Sequence, residues 1–296
     1  MTAASPSIAM PIAVDTQPVA LSPLSLALPL GLFFTVFVLG PLLLLVYVSL
    51  HNDPALIHFG FGQYSKFFTD SFNVNVLVQT LWLGVKVTAL ALLLGIPLAS
   101  LYTGASARWQ GPLMLVIVLP LLTSAVVRTF AWVVILGREG IVNTLLLHAG
   151  LIDAPLRLLF TQGAVVVALA QIELPLMVLP LITSLMNIDP NLRQASLALG
   201  AGSWRTFFRI TLPLSMPGLL AGCTLVFASS VSAFVTQTLV GGGQHVFMPF
   251  YMYQQAIEAS NYPFAATVAV LLLASVAIVV VLVNVFGRRS KGFIHG

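Results

Sequence analysis

Six apolar runs, each long enough to cross a lipid bilayer as a helix, constrain the fold before any motif is considered. They fall at 24–50, 76–103, 112–136, 162–187, 213–240 and 264–286. A spanning helix needs about 20 mostly apolar residues, whereas a membrane strand needs only about 9–11 with alternating polarity. The runs are continuous and do not alternate, so the sequence predicts an all-α integral membrane protein with six transmembrane helices. Composition agrees: 59% of the 296 residues are hydrophobic and 7% charged, against about 25% charged in soluble domains. Prolines inside the runs (Pro41, Pro97, Pro120, Pro175, Pro180) read as kinks, because neighbouring helices in a bundle re-satisfy the freed carbonyls.

The net charge of +4 does not point to nucleic acid, since the basic residues are scattered and no aromatic–basic platform accompanies them. They sort by side of the membrane instead. Six helices put both termini on one side. With the termini inside, Arg108, Arg193, Arg205, Arg209, Arg288, Arg289 and Lys291 face the cytoplasm, while Lys66, Arg138 and Arg157 lie in outer loops. Cytoplasmic segments carry the excess of Lys and Arg in membrane proteins, so this orientation is the expected one. Residues 1–23 then form a cytoplasmic N-terminal tail, 24–286 a transmembrane domain with a cytoplasmic loop at 188–212, and 287–296 a cytoplasmic C-terminal tail. The first run is too long for the apolar region of a secretory signal and reads as an uncleaved helix. The single cysteine, Cys223, excludes an intrachain disulfide, and the five histidines show no zinc-ligand spacing, so no metal site is expected.

The loop at Gln194–Pro213, QASLALGAGSWRTFFRITLP, is a polar island with its own grammar. Gln194, Ala195, Ser196 and Ala198 suit a short rod of good helix propensity. Asp189 or Asn191 can cap it. Gly200 and Ala201 permit a sharp change of direction, because glycine tolerates positive φ. Trp204, Phe207, Phe208 and Ile210 then recur at helical spacing, as a face expected to lie back against the bundle, with Arg205 and Arg209 turned to water or headgroups. Leu212 and Pro213 close the loop, Pro213 suiting the first turn of the next span.

This grammar resembles the EAA loop of binding-protein-dependent ABC importer permeases, written E-A-A-x-x-x-G-A with a trailing I-x-L-P. Ala195, Gly200, Ala201, Ile210, Leu212 and Pro213 stand at the family spacing, and Trp204 and Phe207 are typical of it. The family's leading Glu and second Ala are Gln194 and Ser196 here, which replaces a salt bridge to the ATPase by a weaker neutral hydrogen bond. The runs AFVTQTLVGGG, LPLMVLPL, MNIDPNL and VVRTFAW extend the resemblance over roughly residues 60–290, to permeases of the spermidine/putrescine type.

The resemblance implies the type I importer (MetI-like) permease fold in a bacterial inner membrane. The implied complex contains two ATPase subunits, a second permease that is identical or homologous, and an external solute-binding protein. It implies polyamine import, with iron(III) or phosphonate as other solutes of such systems. The chain has no G-x-x-x-x-G-K-[ST] loop, so ATP and magnesium belong to the partner ATPase and no cofactor is expected here. An ion-gradient-driven secondary transporter is the competing class, but no internal repeat is evident. No nucleophile–base constellation suggests an enzyme.

Lys86, Arg128 and Glu173 lie inside apolar spans, with Gln171 beside Glu173. A charge at mid-membrane costs about 2.5–3.5 kcal/mol on insertion scales, so such residues face partners or water. Counted from the outer ends of their runs, Lys86 and Glu173 are each about 16 Å deep and Arg128 about 12 Å. Similar depths allow two readings. Glu173 forms a structural ion pair with Lys86 or Arg128, or Glu173 and Gln171 line the path of a cationic solute.

Overall fold

The computed structural model describes residue 29 and residues 31–291. The expected tail at 1–23, the first residues of the first run and residues 292–296 lie outside them. The chain separates into two compact units, Met1–Leu44 and Leu45–Gly296. Helix α1, Gly31–Ser49, loosens into a π turn at Thr35–Leu39.

Beyond it the regular structure of the described residues is helical, with turns between helices and an isolated antiparallel bridge between His51 and Phe59. In order they form α2 (Gly62–Thr69), α3 (Ser71–Gly104), α4 (Ala107–Leu122), α5 (Ala125–Leu136), α6 (Ile141–His148) and α7 (Gln162–Met186). They continue as α8 (Pro190–Ala198), α9 (Ser203–Leu214), α10 (Met216–Ser232), α11 (Phe234–Gly241), α12 (Met248–Tyr253) and α13 (Tyr262–Lys291). Among the described residues five stretches are long and apolar enough to cross a membrane, namely α1, α3, α5 with α6, α7 and α13, and the bent pair α9–α10 makes six if it is one span.

Three of the six runs differ from their expected form, one in length and two by interruption. The second extends from Ser71 to Gly104, started by the Asp70 carboxylate, which accepts from the Phe72 amide at 2.9 Å. The third starts early at Ala107 and breaks at Thr123–Ser124 into α4 and α5. Hydropathy hides the break, because two small hydroxyl residues barely lower it. The fifth is interrupted at Ser215, where α9 and α10 meet at 68°, and again at Ala233. Short helices α2 and α12 lie in connections between spans, and α6 continues α5 within the apolar stretch Ala125–His148.

The core is built where α3, α7 and α10 pack on one another. Val87, Ala91, Leu169, Met177, Val178, Leu181 and Val226 are buried there. Small residues set the spacing, as they do wherever membrane helices approach closely. A Cβ on Gly218 would strike the Pro180 carbonyl and the Ser184 side chain, and one on Gly222 would meet Met177. Helices α5 and α11 pack together beside this core, and both touch α7.

Candidate functional site: the coupling loop and an intramembrane polar layer

Helix α8 is built as a short rigid rod. The Asp189 carboxylate accepts from the Asn191 amide at 2.9 Å, and Pro190 occupies the first turn, where its missing N–H is not needed. At the other end the Ala201 amide reaches the Ser196 carbonyl (3.1 Å) and the Gly200 amide reaches the Leu197 carbonyl (3.0 Å). This is a Schellman termination, with Gly200 in the left-handed region at φ +82°. The Ser196 hydroxyl, buried, lies 2.9 Å from the Thr206 hydroxyl and ties α8 to α9.

Outside that tie the loop presents apolar surface. Leu199 is 88% exposed and Trp204 76%, with Leu192, Leu197 and Phe208 also exposed. Gln194 and Ala195 are exposed too, while Ala201, Phe207, Ile210, Leu212 and Pro213 are half-buried. The expected inward face is therefore shared differently. Thr206 is the buried residue of α9, and Trp204 instead stacks on Phe208 with ring centroids 5.8 Å apart. A π turn at Phe207–Thr211 rotates the helix face, which explains the departure from regular spacing. Pro213 sits at the end of α9 and not in the first turn of the next span; Pro217 takes that place in α10. A cleft of about 600 Å³ separates α8 from the ends of α3 and α7, lined by Thr103, Leu185, Asp189, Gln194, Leu197 and Thr211 among others.

Inside the bundle the expected residues form one polar layer without Lys86. The Arg128 Nη1 donates to the Ile172 carbonyl at 3.0 Å, and Trp132, one turn further along α5, donates to the Gln171 Oε1 at 3.0 Å. Glu173, 8% exposed, is the next residue of α7, with Arg128 and Ser229 as the side chains acting on its charge. No carboxylate–cation pair closer than 4.0 Å involves it; among the described residues His58–Asp53 is the one such contact. Thr129 and Thr236 join α5 to α11 through their hydroxyls, 2.8 Å apart.

Lys86 lies elsewhere. Its Nζ donates to Gln162 Oε1 at 2.9 Å and sits 5.7 Å from the Trp82 ring centroid. Gln162 opens α7, about 16 Å along the axis from Glu173. Helix α3, with 34 residues, is about 51 Å long against a bilayer core of about 30 Å, so it extends beyond its apolar run, and Lys86 reaches Gln162 and not Glu173.

Two contacts had no signal in the sequence: the Ser196–Thr206 tie joins two helices of one loop, and the Thr129–Thr236 tie joins residues 107 apart in the chain. Gln237 is another. Buried, it donates through Nε2 to the Ser230 and Val231 carbonyls (2.8 and 3.2 Å) beside the break at Ala233, whose amide also reaches the Ser230 carbonyl (3.4 Å). No group of three or more metal-ligating side chains exists among the described residues.

Residues 91–292 match the family described as "Binding-protein-dependent transport system inner membrane component". The spermidine/putrescine permease PotB of Haemophilus influenzae is 32% identical over 259 residues, covering 86% of this chain and 89% of its own. PotB of Escherichia coli K12 is 30% identical over 81% of this chain and 88% of its own. The molybdenum permease ModB of Escherichia coli K12 is 32% identical over 72% of this chain and 94% of its own. A bacterial ABC transporter that imports the acidic polysaccharide alginate shares the fold, with a TM-score of 0.73 at 20% identity over 90% of this chain and 94% of that one. The chain belongs to the family of inner membrane components of binding-protein-dependent transport systems, as the permease of an ABC importer.

Proposed function

We propose that this permease imports a polyamine of the spermidine/putrescine class, delivered by an external solute-binding protein. PotB of Haemophilus influenzae is 32% identical over 86% of the chain, whereas the molybdenum permease reaches 32% over 72%, so the relatives favour a polyamine. Glu173 supports the same choice. A buried carboxylate without a paired cation attracts an amine and repels an oxyanion.

The exposed apolar rod of α8 and its turn, with Gln194, Ala195 and Gly200, is the surface for an ATPase dimer that binds ATP and magnesium; this chain holds no cofactor. Support comes from the family, from the rigid termination of α8 and from the exposure of Leu192, Leu197, Leu199 and Trp204. The arginine distribution supports a cytoplasmic α8 and cytoplasmic termini in a bacterial inner membrane. A second permease, identical or homologous, completes the pore.

The test is uptake by the reconstituted complex in proteoliposomes. Spermidine or putrescine is taken up and molybdate, iron(III) and phosphonate are not; uptake stops when ATP hydrolysis is blocked and survives collapse of ion gradients. Glu173→Gln lowers polyamine uptake at least about tenfold with assembly intact, of the order seen on removing one buried charge partner. Unchanged uptake by that variant would sink the role given to Glu173.

A further inference from the structure

We propose that the cleft between α3, α10 and α13 is a binding site for an anionic phospholipid, which lays an acyl chain in the cleft and its phosphate headgroup at the basic end of α13. The site is separate from the solute path and from the α8 rod.

A cavity of about 300 Å³ lies where the three helices meet. Val85 and Ala89 of α3, Cys223 and Phe227 of α10, and Val279 and Val283 of α13 line it. Its wall is apolar throughout, although two threonines contribute to it. Thr88 turns its hydroxyl back onto the Gly84 carbonyl at 2.7 Å, and the Thr224 hydroxyl is buried without a partner. Water needs about two to four polar partners, so a space of this kind stays dry. In a bilayer the apolar group at hand is an acyl chain, and filling the space recovers the dispersion contacts that an empty wall forfeits.

The way in is lateral. Helices α3 and α13 each pack on α10, with little contact between the two, and Val85 on the rim is exposed. One end is shut, because Leu220 of α10 lies over the buried Gly287 of α13 and a Cβ there would strike it. Immediately past that closure come Arg288, Arg289 and Lys291, the end of α13. Along the axis Arg288 is about 7.5 Å and Lys291 about 12 Å beyond Val283. A chain seated in the cleft therefore brings its headgroup to this basic run, and α13 carries no Asp or Glu to offset it. Basic residues clustered just past a span attract anionic headgroups. Charge complementarity thus selects the lipid class, and the three-sided cavity distinguishes this site from the open faces of α13. In the orientation proposed above, the leaflet is the cytoplasmic one.

The test uses the complex of this chain with its ATPase and second permease, purified in detergent, with retained lipids counted by native mass spectrometry. Three probes are compared: dioleoyl phosphatidylglycerol, dioleoyl phosphatidylcholine with the same chains, and dihexanoyl phosphatidylglycerol with the same headgroup. The wild-type complex retains the first about tenfold better than either of the others. Cys223→Trp fills the cavity and lowers that retention about tenfold. Arg288→Gln/Arg289→Gln/Lys291→Gln removes the preference for phosphatidylglycerol over phosphatidylcholine.

Equal retention of the two dioleoyl lipids overturns the inference. So does equal retention of the short-chain lipid, because that result reduces the site to capture of a free anion by the basic run. Unchanged retention by Cys223→Trp overturns it as well. If that variant does not assemble, Ala89→Leu narrows the same space from α3, and unchanged retention again overturns it. Cys223 is the one cysteine of the chain, so it also reports a competing occupant. Its cross-linking to a cysteine placed in α1 or in the second permease would put a helix in the cleft and exclude the lipid. A complex that takes up no spermidine but retains phosphatidylglycerol overturns the polyamine reading alone.

Discussion

The Ser196 hydroxyl lies 2.9 Å from the Thr206 hydroxyl, buried between α8 and α9, and forms a side-chain hydrogen bond joining the two arms of the Gln194–Pro213 loop. Removing one partner leaves the other buried and unsatisfied, which costs about 1–3 kcal/mol, whereas replacing both by apolar groups of similar shape is nearly neutral. Ser196→Ala is therefore expected to uncouple ATP hydrolysis from uptake, raising ATP consumed per solute. Ser196→Ala/Thr206→Val is expected to recover most of the coupling. Parallel ATPase and uptake measurements on the two variants check this ordering.

Gly200 stands at φ +82° with open space where a Cβ would go. Strain is then the sole penalty of a side chain there, about 1–2 kcal/mol for an ordinary L residue in the left-handed region. Gly200→Ala should lower the thermal stability of α8 by that amount, and Gly200→Asn by less, because asparagine tolerates this conformation. Hydrogen exchange at the Ala201 amide, which closes the Schellman turn on Ser196, reports it locally. Equal protection in all three proteins would refute the account.

Gln194 is exposed on α8, where the family pattern places a glutamate. Gln194→Glu adds a charge without adding strain. If α8 docks on the ATPase as proposed, association of the variant gains a dependence on ionic strength over the range where the Debye length shrinks from about 30 Å to 8 Å. The wild-type complex, docking by shape, shows little. Co-purification of ATPase subunits across a salt series measures the difference.

The coupling loop was legible because its signals are local. Asp189, Pro190, Gly200 and the small residues between them each act on their own stretch of backbone, so spacing alone predicts a capped rod and a turn. Helix number was legible to within one, since each apolar stretch is recorded in its own hydropathy, although the third stretch lies at Ala125–His148 and the fifth is bent at Ser215. The breaks at Thr123–Ser124 and Ala233 were not, because a bundle supplies hydrogen bonds to interrupted helices without demanding polar residues in sequence; Gln237 does so from seven residues beyond Ser230. The partner of Arg128 was invisible in principle. It is a backbone carbonyl, at Ile172, and every residue carries one. The partner of Lys86 was missed because a long side chain reaches along the bundle, to Gln162 at the start of α7, and counting along one run does not register that.

Gly218 and Gly104 separate two uses of glycine. A Cβ at Gly218 would collide with the Pro180 carbonyl and Ser184 on α7, whereas at Gly104, the last residue of α3, no atom lies within 4 Å. Backbone on both sides of the α7–α10 contact leaves no flexible group to give way, so Gly218→Ala is expected to force the helices apart at about 1–3 kcal/mol, the usual cost of overpacking. Gly104→Ala relieves a helical glycine and should be neutral or stabilising by up to about 1 kcal/mol. Thermal unfolding of the two variants in detergent discriminates them, with Gly218→Ala melting below wild type and Gly104→Ala at or above it. Uptake should follow the same order, because α7 carries Glu173 and any shift of α7 against α10 moves it relative to Ser229. A Gly218→Ala protein of unchanged stability and uptake would show that α7 and α10 do not pack as closely as this account requires.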